Sequence, residues 1–227
     1  SMRMRKLIES GFLGGQPVHM ESYYCYDLSD AKYAMALLGD HNHWVRKLPG
    51  KLLHNLISHG ISKIAEFFDD SDPEIIVNGF QSATMKSISE HEIIDEIRVI
   101  ISSQKGTTAY FTCSTQMRPA LRHFRIFGPL NGIEINEDHQ SLNKIRGDFH
   151  KSFLNQFIPP LDRSRQNILD FLYNGLQFLK SDFHPDAGMR HLIQLFYKSI
   201  VSDTPDPIPH KEILLTTKIM DAIFAQI

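Results

Sequence analysis

The 227-residue sequence predicts an α+β fold: a large, mainly antiparallel β-sheet with helices packed on one face and the other face available for oligomerisation. Three observations lead to this prediction. Apolar residues recur at helical spacing in residues 51–68 and again from residue 162 onward. The region between these helices is typical of a series of short strands. The connectors between those strands are too short for parallel returns, which need a dozen residues or more.

The first fifty residues predict a mixed start to the domain. Residues 4–10 predict a turn or two of helix, and residues 16–27 are rich in aromatic and β-favouring types that predict a strand. Ser29 or Asp30 is a suitable N-cap for a short helix. Residues 40–50 then form a polar loop whose density of His, Trp and Arg is unusual for a connector.

The middle of the chain predicts the sheet. After the helix 51–68, the expected strands are residues 74–85, 94–102, 107–116, 120–127 and 133–136. Alternation along 107–116 places Thr107, Ala109, Phe111, Cys113 and Thr115 on one face and Thr108, Tyr110, Thr112, Ser114 and Gln116 on the other. The second set is neither apolar nor charged, so this face is either solvated or pairs with another sheet, and we favour a homo-oligomer.

The last third predicts three helices, over residues 162–180, 187–201 and 210–226. The first of them has an apolar helical face formed by Ile168, Leu169, Phe171, Leu172, Leu176 and Leu179. With no repeats or low-complexity tracts, we expect residues 1–227 to form a single domain.

Composition narrows the class of protein. Hydrophobic residues make up 42% and charged residues 22%, which excludes a disordered chain. A net charge of −2 disfavours a nucleic-acid binder. No apolar run has the ~18 residues of a membrane span, and no signal peptide opens the chain, so we expect a cytoplasmic protein without a membrane partner. Cys25 and Cys113 are expected to be buried, reduced thiols.

Several motifs of known chemistry are missing from the sequence. There is no G-x-G-x-x-G after a strand, no P-loop and no H-E-x-x-H. Asp40, His41 and His43 offer metal-ligand types in one loop, but solvated polar residues or substrate contacts are the more common use of such a loop, and we expect no metal.

The polar stripe of the helix 51–68 is the most informative feature. Lys51, Asn55, His59 and Lys63 recur every four residues and so lie on one side of the helix. This pattern is also that of an ordinary solvent-facing side. An amide and an imidazole one turn apart, directly after the His/Trp/Arg loop, instead favour a site.

At these residues the sequence resembles the C-terminal domain of the Gfo/Idh/MocA oxidoreductases. The stretch Pro49–His59 is similar to the family's G-G-G-x-L-x-D-x-G-x-H helix start. The likeness continues, in order, in LIESGFLGGQPVHME, in FRIFGPLNGIEIN and in the closing GMRHLIQLFYKSIVSDTPDPIPHKEILLTTKIMDAIF. The family's N-terminal Rossmann domain, with its glycine-rich loop and Glu-Lys-Pro motif, has no counterpart in the sequence. The resemblance therefore implies that residues 1–227 are a single substrate-binding and oligomerisation domain, either the C-terminal part of a longer protein or a stand-alone domain.

The resemblance implies that His59 lies beside the substrate carbon that exchanges hydride and supports proton transfer at the hydroxyl. Asn55 stands where the family has an aspartate, so an amide replaces an acid that can take up a proton. Lys51 replaces a glycine and adds a cation near the helix start, which an anionic substrate group would offset.

The resemblance also implies a cofactor and a substrate class. NAD or NADP would bind through the missing domain, with none held tightly by this chain, and the substrate would be a sugar, sugar-nucleotide or polyol. Trp44 by stacking, Arg46 by polar contact and His43 are further candidate substrate ligands. An alternative is a non-catalytic sugar-binding or assembly module of the same fold.

Overall fold

The computed structural model describes residues 2–147, 151, 153–180 and 187–227. Within these residues the helices are α1 (Met2–Glu9), α2 (Ala31–Leu38), α3 (Lys51–Leu56), α4 (Ser58–Phe67), α5 (Ala83–Ser87), α6 (Ile158–Leu179), α7 (Ala187–Ser202) and α8 (His210–Phe224). The strands are β1 (His19–Asp27), β2 (Glu74–Phe80), β3 (Glu96–Ser102), β4 (Thr108–Ser114), β5 (Gln116–Phe127), β6 (Asn131–Asn136) and β7 (Ser141–Arg146). The predicted α+β class is confirmed.

The seven strands form one sheet in the order β2-β3-β4-β1-β5-β6-β7. Every neighbouring pair is antiparallel except β1 and β4, which run parallel. The first strand of the chain therefore lies between β4 and β5, although only Thr115 separates those two strands in sequence. Short connections correctly predicted antiparallel directions, but they did not reveal this insertion.

Helices α4 and α8 pack on one face of the sheet, as predicted, whereas α6 contacts the edge strand β7. Ala109, Phe111 and Cys113 of β4 point to this face and are fully buried beneath α4 and α8. Apolar side chains of the two helices complete the core because they recur every three or four residues: Ile57, Ile61, Ile64, Leu215, Ile219 and Ile223. Both cysteines are buried and unpaired, and burial raises the pKa of the Cys25 thiol to about 11.

The opposite sheet face, which we call the open face, has an apolar half and an ionic half. Ile76, Ile100 and Tyr110 lie in register on β2, β3 and β4, each about half exposed. Glu21, Arg125 and Glu134 continue the same row on β1, β5 and β6. Arg125 contacts the carboxylates of Glu21 at 3.3 Å and of Glu134 at 3.0 Å.

Three local predictions were wrong. The helix 51–68 is interrupted at Ile57, so α3 and α4 are separate segments. The predicted strand 74–85 ends at Phe80, and Ser82 caps α5 through a hydrogen bond from the Met85 N–H. Strand β7 was missed because its sequence SLNKIR is short and mixed in polarity. Among the described helices, none has the length and apolar character of a membrane span.

Strand β7 is the edge of the sheet, and α6 lies along it. The Asp170 carboxylate accepts hydrogen bonds from the Leu142 N–H at 2.7 Å and from Arg3 at 2.8 Å. Two turns of α6 thus satisfy the outward backbone groups of β7, since Gln166 also accepts from the Lys144 N–H at 2.7 Å and donates to the Lys144 carbonyl at 3.1 Å.

Asp170→Ala is expected to lower the free energy of unfolding by about 1–3 kcal/mol, because it leaves the buried Leu142 N–H without an acceptor. Urea unfolding followed by circular dichroism measures this. Asp162→Ala is the control: it removes an ion pair between Asp162 and the more exposed Arg146, and should cost about 1 kcal/mol or less. Equal losses in the two variants would contradict the assigned role.

Candidate functional site

The loop before α3 is an ordered structure, with a 3₁₀ turn at Trp44–Lys47. His43 caps this turn, since its Nδ1 accepts a hydrogen bond from the Val45 N–H at 3.3 Å. The Trp44 ring is 55% exposed and lies 5.8 Å from the His43 ring, centroid to centroid. The predicted pair His43 and Trp44 is therefore accessible on the surface.

Arg46 points the other way. Its side chain is only 7% exposed, contacts the Glu90 carboxylate and donates to the Leu38 carbonyl at 2.7 Å. Burial by itself raises the pKa of Glu90, but hydrogen bonds from Arg46 and from the Glu92 N–H outweigh it, and the pKa lies below its ordinary value. The guanidinium thus holds the loop to the segment after α5.

Lys51 opens α3 with a backbone φ of 47°, in the left-handed region that favours glycine. Its Nζ donates to the Glu92 carbonyl at 2.8 Å and lies 3.6 Å from the Glu92 carboxylate. Glu92 therefore offsets part of the positive charge of Lys51, which we had expected an anionic substrate group to offset. The preceding Gly50 has no room for a side chain because the Phe224 ring occupies that space.

His59 lies in the first turn of α4 and is exposed. Its ring stacks on the ring of Tyr24 from β1, with the centroids 5.0 Å apart and the planes at 21°. Burial raises the pKa of the Tyr24 hydroxyl, which favours its neutral form. Tyr24 thus supports one face of the imidazole. Period-two alternation along β1 does not show which helix residue lies above this tyrosine, so the sequence alone does not predict the contact.

The helix break at Ile57 separates Asn55 from His59, but both side chains remain on the surface. Within the described part of the chain, no hydrogen bond joins them. At the far end of the stripe, Lys63 forms an ion pair with Glu137 at 2.6 Å.

An ion pair between Arg122 and Asp138 lies next to Tyr24. Arg122, the β5 neighbour of Tyr24, bonds Asp138 through its Nε at 2.6 Å and its backbone N–H at 2.8 Å. Burial raises the pKa of Asp138, but the bonds from Arg122 outweigh it and bring the pKa below its ordinary value. The sequence did not point to Arg122 on β5, or to Glu137 and Asp138 in the turn after β6.

Of the four residues in the predicted polar stripe, the middle two, Asn55 and His59, are the ones left available to a ligand. Lys51 and Lys63 are held by Glu92 and Glu137, whereas Asn55 and His59 have neither an ion pair nor a hydrogen-bond partner among the described side chains. The described part of the chain contains no group of three or more His, Cys, Asp or Glu side chains suited to a metal ion. This includes the loop with Asp40, His41 and His43.

A family model described as the GFO/IDH/MocA C-terminal domain matches residues 1–134, and the chain belongs to that family. The resemblance noted in the sequence is confirmed. A search of curated proteins finds no match to this sequence.

Solved structures share the fold at low sequence identity. An NAD-binding oxidoreductase from Klebsiella pneumoniae superposes with a TM-score of 0.66 at 12% identity, covering 99% of this chain and 60% of that one. UDP-N-acetylglucosamine 3-dehydrogenase from Acidithiobacillus ferrooxidans gives 0.57 at 13% identity, covering 99% and 58%.

A third similar structure is the WlbA dehydrogenase from Bordetella pertussis, solved in complex with NADH and UDP-GlcNAcA. It gives a TM-score of 0.58 at 12% identity, covering 98% of this chain and 57% of that one. The present chain therefore spans a little under three fifths of the length of the dehydrogenases that it resembles.

Proposed function

We propose that this chain is the substrate-binding part of an NAD(P)-dependent oxidoreductase acting on a sugar, sugar-nucleotide or polyol. The observation that carries the proposal is the exposed His59, stacked on Tyr24 in the helical segment that matches the family. The nucleotide would bind to a separate domain of the kind that makes up the rest of the similar dehydrogenases. By itself this chain would be inactive, because hydride transfer needs that nucleotide.

In this proposal each residue of the site has a separate role. His59 accepts or donates the proton of the substrate hydroxyl, a task suited to imidazole because its ordinary pKa is near neutrality. Asn55, one turn earlier, donates a hydrogen bond to a substrate oxygen but cannot take up a proton. Trp44 and His43 provide an exposed aromatic surface on which a sugar ring stacks, and Arg46 acts indirectly by holding their loop.

Titration of the chain with ligands tests this proposal. We expect a saturable change in Trp44 fluorescence with a sugar-nucleotide such as UDP-N-acetylglucosamine and none with NADH or NADPH. Since Trp44 is the single tryptophan of the sequence, the signal reports directly on its loop. Tight NADH binding by this chain would overturn the assignment of the cofactor to another domain.

Lys51→Ala is expected to weaken the binding of anionic sugars by up to about fivefold, because Glu92, 3.6 Å away, offsets only part of the Lys51 charge. A partly exposed ion pair between Lys51 and the ligand would contribute about 0.2–1 kcal/mol. Calorimetric titration with a sugar-nucleotide and with the uncharged sugar measures the difference. Lys47→Ala removes an exposed neighbouring cation and is the matched control. An unchanged affinity for the anionic sugar would remove Lys51 from the site.

The second candidate is a non-catalytic binding or assembly module, which Asn55 in the place of the family's aspartate favours. Assembly would use the open face, where Ile76, Ile100 and Tyr110 expose apolar surface. Assaying the chain together with its nucleotide-binding domain distinguishes the two functions. NAD(P) reduction by one member of a sugar panel supports the enzyme, and sugar binding without turnover supports the module.

A further inference from the structure

Helix α6 buries its polar side and exposes its apolar side. Asp162, Gln166 and Asp170 point to β7, where they hold its backbone or side chains. The apolar face predicted for this helix from its spacing is present, and it points away from the sheet. The following side chains of α6 are each more than half exposed: Leu161, Ile168, Leu169, Phe171, Leu172, Leu176, Phe178 and Leu179.

This exposed surface is large for a single chain. Eight large apolar side chains, each more than half exposed, lie along this one helix. On a typical monomer the largest apolar patch is about 300–600 Å², and other exposed apolar residues are scattered singly. A second chain that covered this side of α6 would remove these side chains from water.

The exposed side of α6 also has the spacing of a helix–helix seam. Leu161, Arg165, Ile168, Leu172, Gly175 and Leu179 follow one another at alternating steps of four and three residues. Side chains at this spacing lie in one line along a helix and pack into the matching line of a second helix.

The seam is symmetric about position 170. In an antiparallel pair of α6 helices centred there, Leu161 faces Leu179 of the second copy and Ile168 faces Leu172. Arg165, the one charged residue of the seam, faces Gly175, which has no side chain. In the part of the chain that the structure describes, no atom outside the same helical turn lies within 4 Å of the place where a Cβ would stand. Such reciprocal contacts are what a two-fold interface requires.

We propose that α6 pairs antiparallel with α6 of a second copy of this chain, with the two-fold axis at Asp170. The contact is separate from the open face and does not depend on the proposed hydride chemistry. The polar side of α6 remains on β7, and the apolar seam is buried between the two copies.

Sedimentation equilibrium of the 227-residue chain tests the pairing. We expect a dimer that Gly175→Arg weakens about tenfold or more, because two arginines then face each other across the seam. The double variant Arg165→Gly/Gly175→Arg should restore the dimer, since it recreates the same arginine–glycine pair from the opposite copy. Thermal unfolding checks that all variants fold. Gly175→Arg should not destabilise α6 itself, because arginine is a better helix former than glycine.

A matched pair of charges locates the contact. Ile168→Glu is expected to abolish the dimer, whereas Ile100→Glu, which places the same charge on the open face, should leave it. A monomeric wild type would overturn the proposal. So would a dimer that survives Ile168→Glu and is lost with Ile100→Glu, or a double variant as weak as Gly175→Arg alone.

Discussion

Phe111→Ala is expected to lower the free energy of unfolding by about 3–5 kcal/mol, the largest stability effect of any single change considered for this protein. Phe111 is fully buried on β4 and packs beneath α4, where the backbone of Gly60 approaches it. Truncation leaves a cavity at the centre of the core. Urea unfolding of the wild type and the variant measures the loss.

The contact between Phe111 and Gly60 is specific enough for a double-mutant cycle. A Cβ on residue 60 would overlap Cε2 of the Phe111 ring and lie 3.0 Å from Cδ2 and from the Ser22 hydroxyl oxygen. Gly60→Ala should therefore cost about 1–3 kcal/mol in the wild type. In the Phe111→Ala background the overlap with the ring is gone and only the contact with the Ser22 hydroxyl oxygen remains. The same change should then cost clearly less than in the wild type, because alanine also has the better helix propensity, by about 1 kcal/mol.

Gly188→Ala is the control for this cycle, since a Cβ there meets no atom within 4 Å among the described residues outside its own helical turn, and the change should be neutral or slightly stabilising. If Gly60→Ala costs the same in both backgrounds, the two residues are not coupled, and the close packing of α4 on β4 is not what requires glycine at position 60.

His59→Ala is expected to reduce kcat about 10²–10⁴-fold in the protein assembled with its nucleotide-binding domain, the usual range for loss of a general acid or base. The His59 side chain is exposed, and its stack on Tyr24 is its one contribution to stability among the described contacts. The free energy of unfolding should therefore change little. Steady-state rates across a pH range measure the effect, because loss of a proton-transfer group removes a limb of the profile.

His91→Ala, which removes an exposed histidine from the loop after α5, should leave the rate unchanged. Wild-type activity with His59→Ala would exclude this residue from proton transfer. Loss of activity accompanied by a lower unfolding midpoint would assign it a structural role instead.

The candidate site could be predicted in part from spacing. Steps of four residues placed Asn55 and His59 on one side of the helix, and both are exposed in the structure. Spacing did not show that Glu92 and Glu137, 41 and 74 residues further along the chain than Lys51 and Lys63, would hold those two lysines. It also did not show that Arg46 would be buried against Glu90 or that Tyr24 would lie under His59.

The sequence by itself determined the elements that depend on local periodicity. Alternation along β4 gave its two faces correctly, because successive side chains of a strand point to opposite sides whatever the strand pairs with. Helical spacing gave α4, α6, α7 and α8 for the same local reason.

Only the tertiary structure decided how those elements meet. Strand β1 lies between β4 and β5. The local sequence pattern could not predict these partners, because backbone hydrogen bonds can join any two extended segments. The apolar side of α6 was evident in sequence, but its outward direction was not. That direction follows from Asp170 and Gln166, which bond the edge of β7 and turn the apolar seam away from the core.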